Sequence, residues 1–233
     1  MKNSNIILLT TILTILVIVT GLIVSSRIMI TRIPDRTTKY SDEDFTSTTL
    51  DLVNFDAIET SGIWQVELQQ GNDYSVTLYY PEPEADEINV YIWDNQLHLE
   101  NDMKWQRQHT LFRATITMPE LSSLRTEEGA SITFNNFNCT DLDIKITGAA
   151  EINARNSRIE NLKLRCDGAA DANFKDSEVV NAKVNINGAS RITLTMGGGK
   201  LTGSAHGASS IVYYGEVSTQ DIATAGAVSI RRR

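Results

Sequence analysis

The stretch "GAAEINAR", residues 148–155, decides the fold. A glycine and two small residues precede an alternation of polar and apolar side chains, and nearly the same pattern returns again and again. Gly-Ala recurs at Gly129, Gly148, Gly168, Gly188, Gly207 and Gly226, at intervals of 19, 20, 20, 19 and 19 residues. A near-constant period of this length is the signature of a solenoid, in which each repeat is one turn of a coil.

Laying each period over the next, with single-residue gaps, aligns apolar positions into columns. After the glycine come Ile132, Ile152, Ala172, Ile192, Ile211 and Ile230, then Phe134, Ala154, Phe174, Leu194 and Tyr213. Later columns hold Cys139, Ile159 and Val179; Leu142, Leu162, Ala182 and Leu201; Ile144, Leu164 and Val184; and Ile146, Cys166 and Ile186. Spacing by two puts neighbouring members on one face of a strand. Stacked turns therefore bury continuous apolar columns that a single turn could not bury alone. The glycine admits a sharp corner, and the small residue after it keeps that corner narrow. Both cysteines fall in inward columns and read as buried small fillers, with a disulfide as the alternative.

Upstream, the pattern is strand-like but not regular. "IETSGIWQVELQQGNDYSVTLYY" alternates on both sides of "QGND", which reads as a hairpin-type turn. Further strands are predicted at 88–93 and 97–100, joined by Asp94-Asn95, and at 111–118, with "ENDMKWQRQHT" as a loop. These strands are expected to cover the N-terminal end of the coil. "SIRRR" closes the other end, either as a charged guard on an open strand edge or as a solvated terminus.

Residues 6–24, "IILLTTILTILVIVTGLIV", are nineteen uncharged, mostly apolar positions. That length favours an uncleaved membrane anchor over a signal peptide, whose apolar core is about 7–15 residues. Arg27, Arg32 and Arg36 on the far side run against the usual charge rule for export, although export of the body remains the expectation. Residues 35–50 are polar and acidic and read as a linker. The expected organisation is thus a signal-anchor or signal peptide at 1–26, a juxtamembrane linker at 27–51 and a solenoid domain at 52–233. Within that domain, 52–128 is the strand-rich part and 129–233 the Gly-Ala coils.

The net charge is −8, and the chain has no large basic surface, so nucleic acid is not an expected partner. No residue cluster specifies a reaction. "MGGGKLT" at 196–202 lacks the spacing of a phosphate-binding loop, and His98, His109 and His206 lack metal-ligand spacing. Asp141 and Asp143 project from one strand, with Lys163 and Lys183 in the column of Asp143 and Lys145 and Arg165 beside them. Carboxylates beside cations could serve a polysaccharide lyase or a weak glycan-contacting strip. Charge pairing on a wet face accounts for them more simply. Catalytic, cofactor-binding and metal residues are accordingly assigned as none.

Together, "FDAIETSGIWQVELQQGNDYSVTLYY", "ATITMPELSSLRTEEGASITF" and the "GAAEIN…GAADAN…GASRIT…GASSIVYYG" series resemble the head GIN domain family of putative auto-transporter adhesins, over residues 52–230. The resemblance implies a bacterial envelope β-solenoid and carries no established catalytic or binding residues. Glu127-Glu128 before Gly129 departs from the pattern, where small or apolar residues are expected. The resulting expectation is an all-β fold, a parallel β-helix or β-solenoid with coils of about 20 residues, preceded by an N-terminal transmembrane or signal helix. Functionally it is a non-enzymatic adhesin or surface binding module for a glycan or an envelope protein. The alternative is a structural or sensing component of the envelope. The expected location is the cell envelope, membrane-anchored through residues 6–24 and facing the periplasm, or exported to the cell surface.

Overall fold

A computed structural model describes residues 44–101 and 112–233. Its strands are β1 (Phe45–Leu50), β2 (Ala57–Gln70), β3 (Ser75–Pro81), β4 (Ile88–Trp93), β5 (Gln96–Asn101), β6 (Phe112–Met118), β7 (Ser123–Asn135), β8 (Asn138–Gly188), β9 (Arg191–Gly197), β10 (Lys200–Glu216) and β11 (Thr219–Arg232). They form one sheet in the order β1-β3-β6-β2-β7-β8-β9-β10-β11, with β5 also on β2 and β4 on β5.

Pairing is parallel wherever one coil lies on the next. β7 matches β8 from Ser123↔Asp143 to Asn135↔Arg155, an offset of 20 residues. β10 matches β11 from Lys200↔Thr219 to Tyr213↔Arg232, an offset of 19. One coil explains the cross-section. Leu142, Ile144 and Ile146 are buried, then Ala150, Ile152 and Ala154, then Ser157 and Ile159. The residues between these runs, at 147–149, 155–156 and 160–161, are exposed. Three alternating walls and three corners make a triangular coil, and period-two alternation turns one side of every wall inward.

The corners are enforced by backbone geometry. Gly168 has φ +144, and a Cβ there would lie 2.1 Å from the Gly148 carbonyl oxygen. A side chain cannot occupy that gap, so the repeat demands glycine for close approach as well as for its dihedral. The next corner uses Asn136 and Asn156 at φ 62 and 48, the left-handed region that Asn tolerates best among residues with a side chain. Inward serines beyond it are satisfied by the coil itself. Ser157 Oγ accepts from the Phe137 amide at 3.0 Å, and Ser177 Oγ accepts from the Ser157 amide at 3.1 Å. Cys139 and Cys166 are buried and free. Burial pushes the Cys139 thiol up to about 11 and, with Asp167 adding a smaller push, the Cys166 thiol up to about 12. Both thiols are therefore poor nucleophiles in the native fold.

Three expectations about the N-terminal half are corrected. First, β2 and β3 do not form a hairpin around "QGND", because β6 lies between them, antiparallel to β3 and parallel to β2. Second, the parallel stack starts before Gly129. β2 sits in register on β7, while β5 and β6 together form the layer on its other side. Third, Gly129 is not the first member of the glycine column. Gly148 pairs with Glu128, and Glu128 with Gly62. Glu128 adopts φ 69 there, so a left-handed glutamate fills a glycine position. Ile132 then falls on Ile152 at the uniform 20-residue offset, and the gap introduced by aligning the glycines disappears.

The N-terminal transmembrane or signal helix is also corrected. Residues 6–24 lie outside the described residues, and among the described residues no helix is long and apolar enough to cross a membrane. A span needs about 20 apolar residues, whereas the helical turn Glu82–Glu87 has six residues, "EPEADE". The supported class is all-β, and the transmembrane, membrane-partner and membrane-anchored assignments are withdrawn.

Candidate functional site

The wall that carries Leu142, Ile144 and Ile146 on its inside displays the candidate site on its outside. Its outward residues form columns across the coils, because each wall residue stands over its equivalent one period away. One column runs Asp141, Asn161, Asn181 and then the backbone of Lys200. Asn161 Nδ2 donates to Asp141 Oδ1 at 3.1 Å, Asn181 Nδ2 donates to Asn161 Oδ1 at 3.1 Å, and the Lys200 amide donates to Asn181 Oδ1 at 3.1 Å. These amides also reach inward to the corner carbonyls of Thr140 and Glu160. Such a ladder fixes the corner and holds one edge of the wall rigid.

The neighbouring column runs Asp143, Lys163, Lys183 and Thr202. Asp143 and Lys163 form an ion pair, and both side chains are roughly half exposed, so the pair contributes little to stability. Lys183 has no carboxylate partner among the described residues. The two columns flank a groove of about 630 Å³, lined by Asp141, Asp143, Asn161, Lys163, Lys183 and Lys200 among others. A third column stacks Arg125 on Lys145, and the same 20-residue step carries Lys145 onto Arg165. Like charges in adjacent strands destabilise a sheet. None of these three cations has an ion-pair partner among the described residues.

The structure therefore brings together every residue that the sequence placed on this strip: Asp141, Asp143, Lys145, Lys163, Arg165 and Lys183. It does not gather the histidines. His98 is buried on β5, His206 is exposed at a corner, and His109 lies outside the described residues. "MGGGKLT" is the end of β9, a turn and the start of β10, in which the Gly198 amide donates to the Glu216 carbonyl. Among the described residues no group of three or more His, Cys, Asp and Glu side chains could hold a metal.

A second feature stands at the far end of the same wall, on a hairpin whose strands and turn the sequence predicted but whose outward aromatic cluster it did not. β4 and β5 form an antiparallel hairpin whose turn, Asp94-Asn95, has φ 50 and 59. Two consecutive positive φ values are the tight-hairpin geometry that suits strand twist. On the outer side Tyr91 stacks on His98 at 4.8 Å with the rings 5° apart, and Trp93 is tilted against His98 at 6.3 Å. Tyr91 donates its hydroxyl to Glu100 at 2.7 Å, and Asn89 donates to the other oxygen of that carboxylate at 3.1 Å. The bond to Glu100 is the main cause of a raised Tyr91 pKa, since it favours the protonated phenol. Gln96 donates to Glu59 on β2. The available signal was "INVYIW", with branched apolar residues at one set of alternate positions and Asn, Tyr and Trp at the other. One face of that strand is aliphatic and the other largely aromatic, and only one can be core.

A triangular parallel β-solenoid with rigid polar ladders on an outer wall is a binding scaffold, built to present surface rather than to enclose a reactive centre. Residues 54–216 match the family described as "Putative auto-transporter adhesin, head GIN domain", and the chain belongs to that family. As a member of that family it is an adhesin-type binding module. Among solved structures it is similar to a putative adhesin from Bacteroides fragilis, with a TM-score of 0.61 and 17% identity over 81% of this chain and 97% of that one. It is also similar to a putative lipid binding protein from Parabacteroides distasonis, with a TM-score of 0.51 and 14% identity over 81% and 97% of the two chains. At such identities the likeness is one of fold. No curated protein matches the chain.

Proposed function

We propose that this module binds a glycan chain along the outer wall that carries Asp141, Asn161, Lys163, Asn181, Lys183 and Lys200. The observation that supports it best is the groove between the two polar columns, in which amide, ammonium and carboxylate groups repeat at the coil spacing of about 4.8 Å. A shallow, regular row of donors and acceptors suits the hydroxyls of an extended sugar polymer. It offers no enclosed apolar volume for a compact small molecule. The Asn ladder holds the wall in place before binding, which lowers the ordering cost of association.

The test is a glycan array probed with the full chain and with Lys183→Glu. Lys183 is exposed and has no ion-pair partner among the described residues, so the change should leave the melting temperature within about 2 °C. Bound signal should fall at least about tenfold, roughly the loss of one charge-assisted contact. Equal signals from the two proteins would remove the groove as the binding surface.

A further inference from the structure

Trp93 is 69% exposed on β4, far more than a large aromatic residue needs for folding. Around it the surface is ordered in a way that bare exposure does not require. Glu100 is held by both Asn89 and Tyr91, and Tyr91 lies flat on His98. His98 itself is 8% exposed, and its Nε2 has no hydrogen-bond partner among the described residues. His98 is therefore a buried floor that holds Tyr91 flat beside the exposed indole.

We propose that the outer side of the β4–β5 hairpin is a stacking platform for a neutral pyranose ring, built from the exposed rings of Tyr91 and Trp93, backed by the buried His98 and framed by Asn89, Gln96 and Glu100. The C–H face of a sugar ring is apolar and packs on an aromatic face, while its rim of hydroxyls needs donors and acceptors at the edge. The hairpin supplies both. Glu59 and Glu100 disfavour an anionic sugar at this spot, in contrast to the cation column further along the wall. For its ligand class the assignment rests on the glycan reading of that wall, whereas its residues are separate from the groove.

The experiment is affinity electrophoresis of the full chain through gels containing laminarin, mannan, xylan or dextran, with polygalacturonate as the anionic comparison. Retention by at least one neutral polysaccharide is expected. Trp93→Ala should weaken it at least tenfold, and Glu100→Gln should weaken it less by loosening Tyr91. Melting temperatures should stay unchanged. The proposal is overturned if no neutral polysaccharide retains the protein, if Trp93→Ala is retained like the parent, or if tetramethylammonium chloride releases the protein where equal sodium chloride does not. A dimer that Trp93→Ala converts to monomer would assign the patch to self-contact and also overturn it. Loss with Lys183→Glu but not with Trp93→Ala removes the platform and leaves the groove. The reverse removes the groove and leaves the platform.

Discussion

The two ends of the solenoid handle the same physical problem differently. Any stack of parallel strands ends in a row of unpaired amides and carbonyls that can recruit another chain. At the N-terminal end the last parallel layer, β5 and β6, is covered by antiparallel strands. β4 pairs with β5, β3 pairs with β6, and β1 pairs with β3 in turn. At the C-terminal end β11 pairs with β10, and its hydrophobic residues Ile222, Val228 and Ile230 are only partly buried. Arg232 pairs with Glu216 there, and Arg231 and Arg233 are exposed. The first end is extended by antiparallel strands, whereas the last described strand lies parallel on its neighbour. The lesson is that the regular repeat carries the coils through to β11, while the N-terminal layers are built from sequence that breaks it.

The sharpest way to break the contrast is through the regular coils. Ile152 is wholly buried between Ile132 and the equivalent column residue one coil further on. Ile152→Asp places an unpaired carboxylate in that column and should cost more than about 4 kcal/mol, read as a collapsed thermal transition. An unchanged melt would mean that the columns are not the core.

A somewhat smaller loss is expected at the corner. Gly168→Ala brings a methyl group against a carbonyl oxygen and forces a side-chain residue into positive φ, at a combined cost of about 3 kcal/mol. Chemical denaturation of the full chain should report it. A neutral result would deny the close approach of successive corners.

The smallest expected effect lies where the two regions meet. Glu128 holds φ 69 in a column otherwise occupied by glycine. Glu128→Gly relieves about 1–2 kcal/mol of left-handed strain and gives back part of it as unfolded-state entropy. The expected net gain is about 0.5–1 kcal/mol, seen as a rise of roughly 2 °C in the melting temperature. A loss instead would mean that the Glu128 side chain makes a contact worth more than its strain.

The regular half was legible because periodicity is local information: a two-residue alternation and a 20-residue repeat are both written in the chain. The charged strip was legible for the same reason, since an overlay of periods is already a map of neighbours. Elsewhere the neighbours are not written. Nothing in "QGND" announces that β6, which begins 39 residues beyond Asp73, will part β2 from β3. Nothing in "TEEGAS" reveals which residue takes the left-handed corner, because Glu128 does so only after β2 and β8 fix the register on either side.

By itself, then, the sequence determined an all-β coil, its inward columns, its glycine corner from Gly148 onward and the polar character of one outer wall. Each of these follows from spacing along the chain, which strand geometry converts directly into facing. Only the tertiary structure decided where the stack begins, which strands close its N-terminal end, and that Tyr91, Trp93 and His98 stand together outside the core. Those outcomes depend on pairing between distant segments. Pairing is chosen by the burial of the whole sheet rather than by any local preference of the residues that meet.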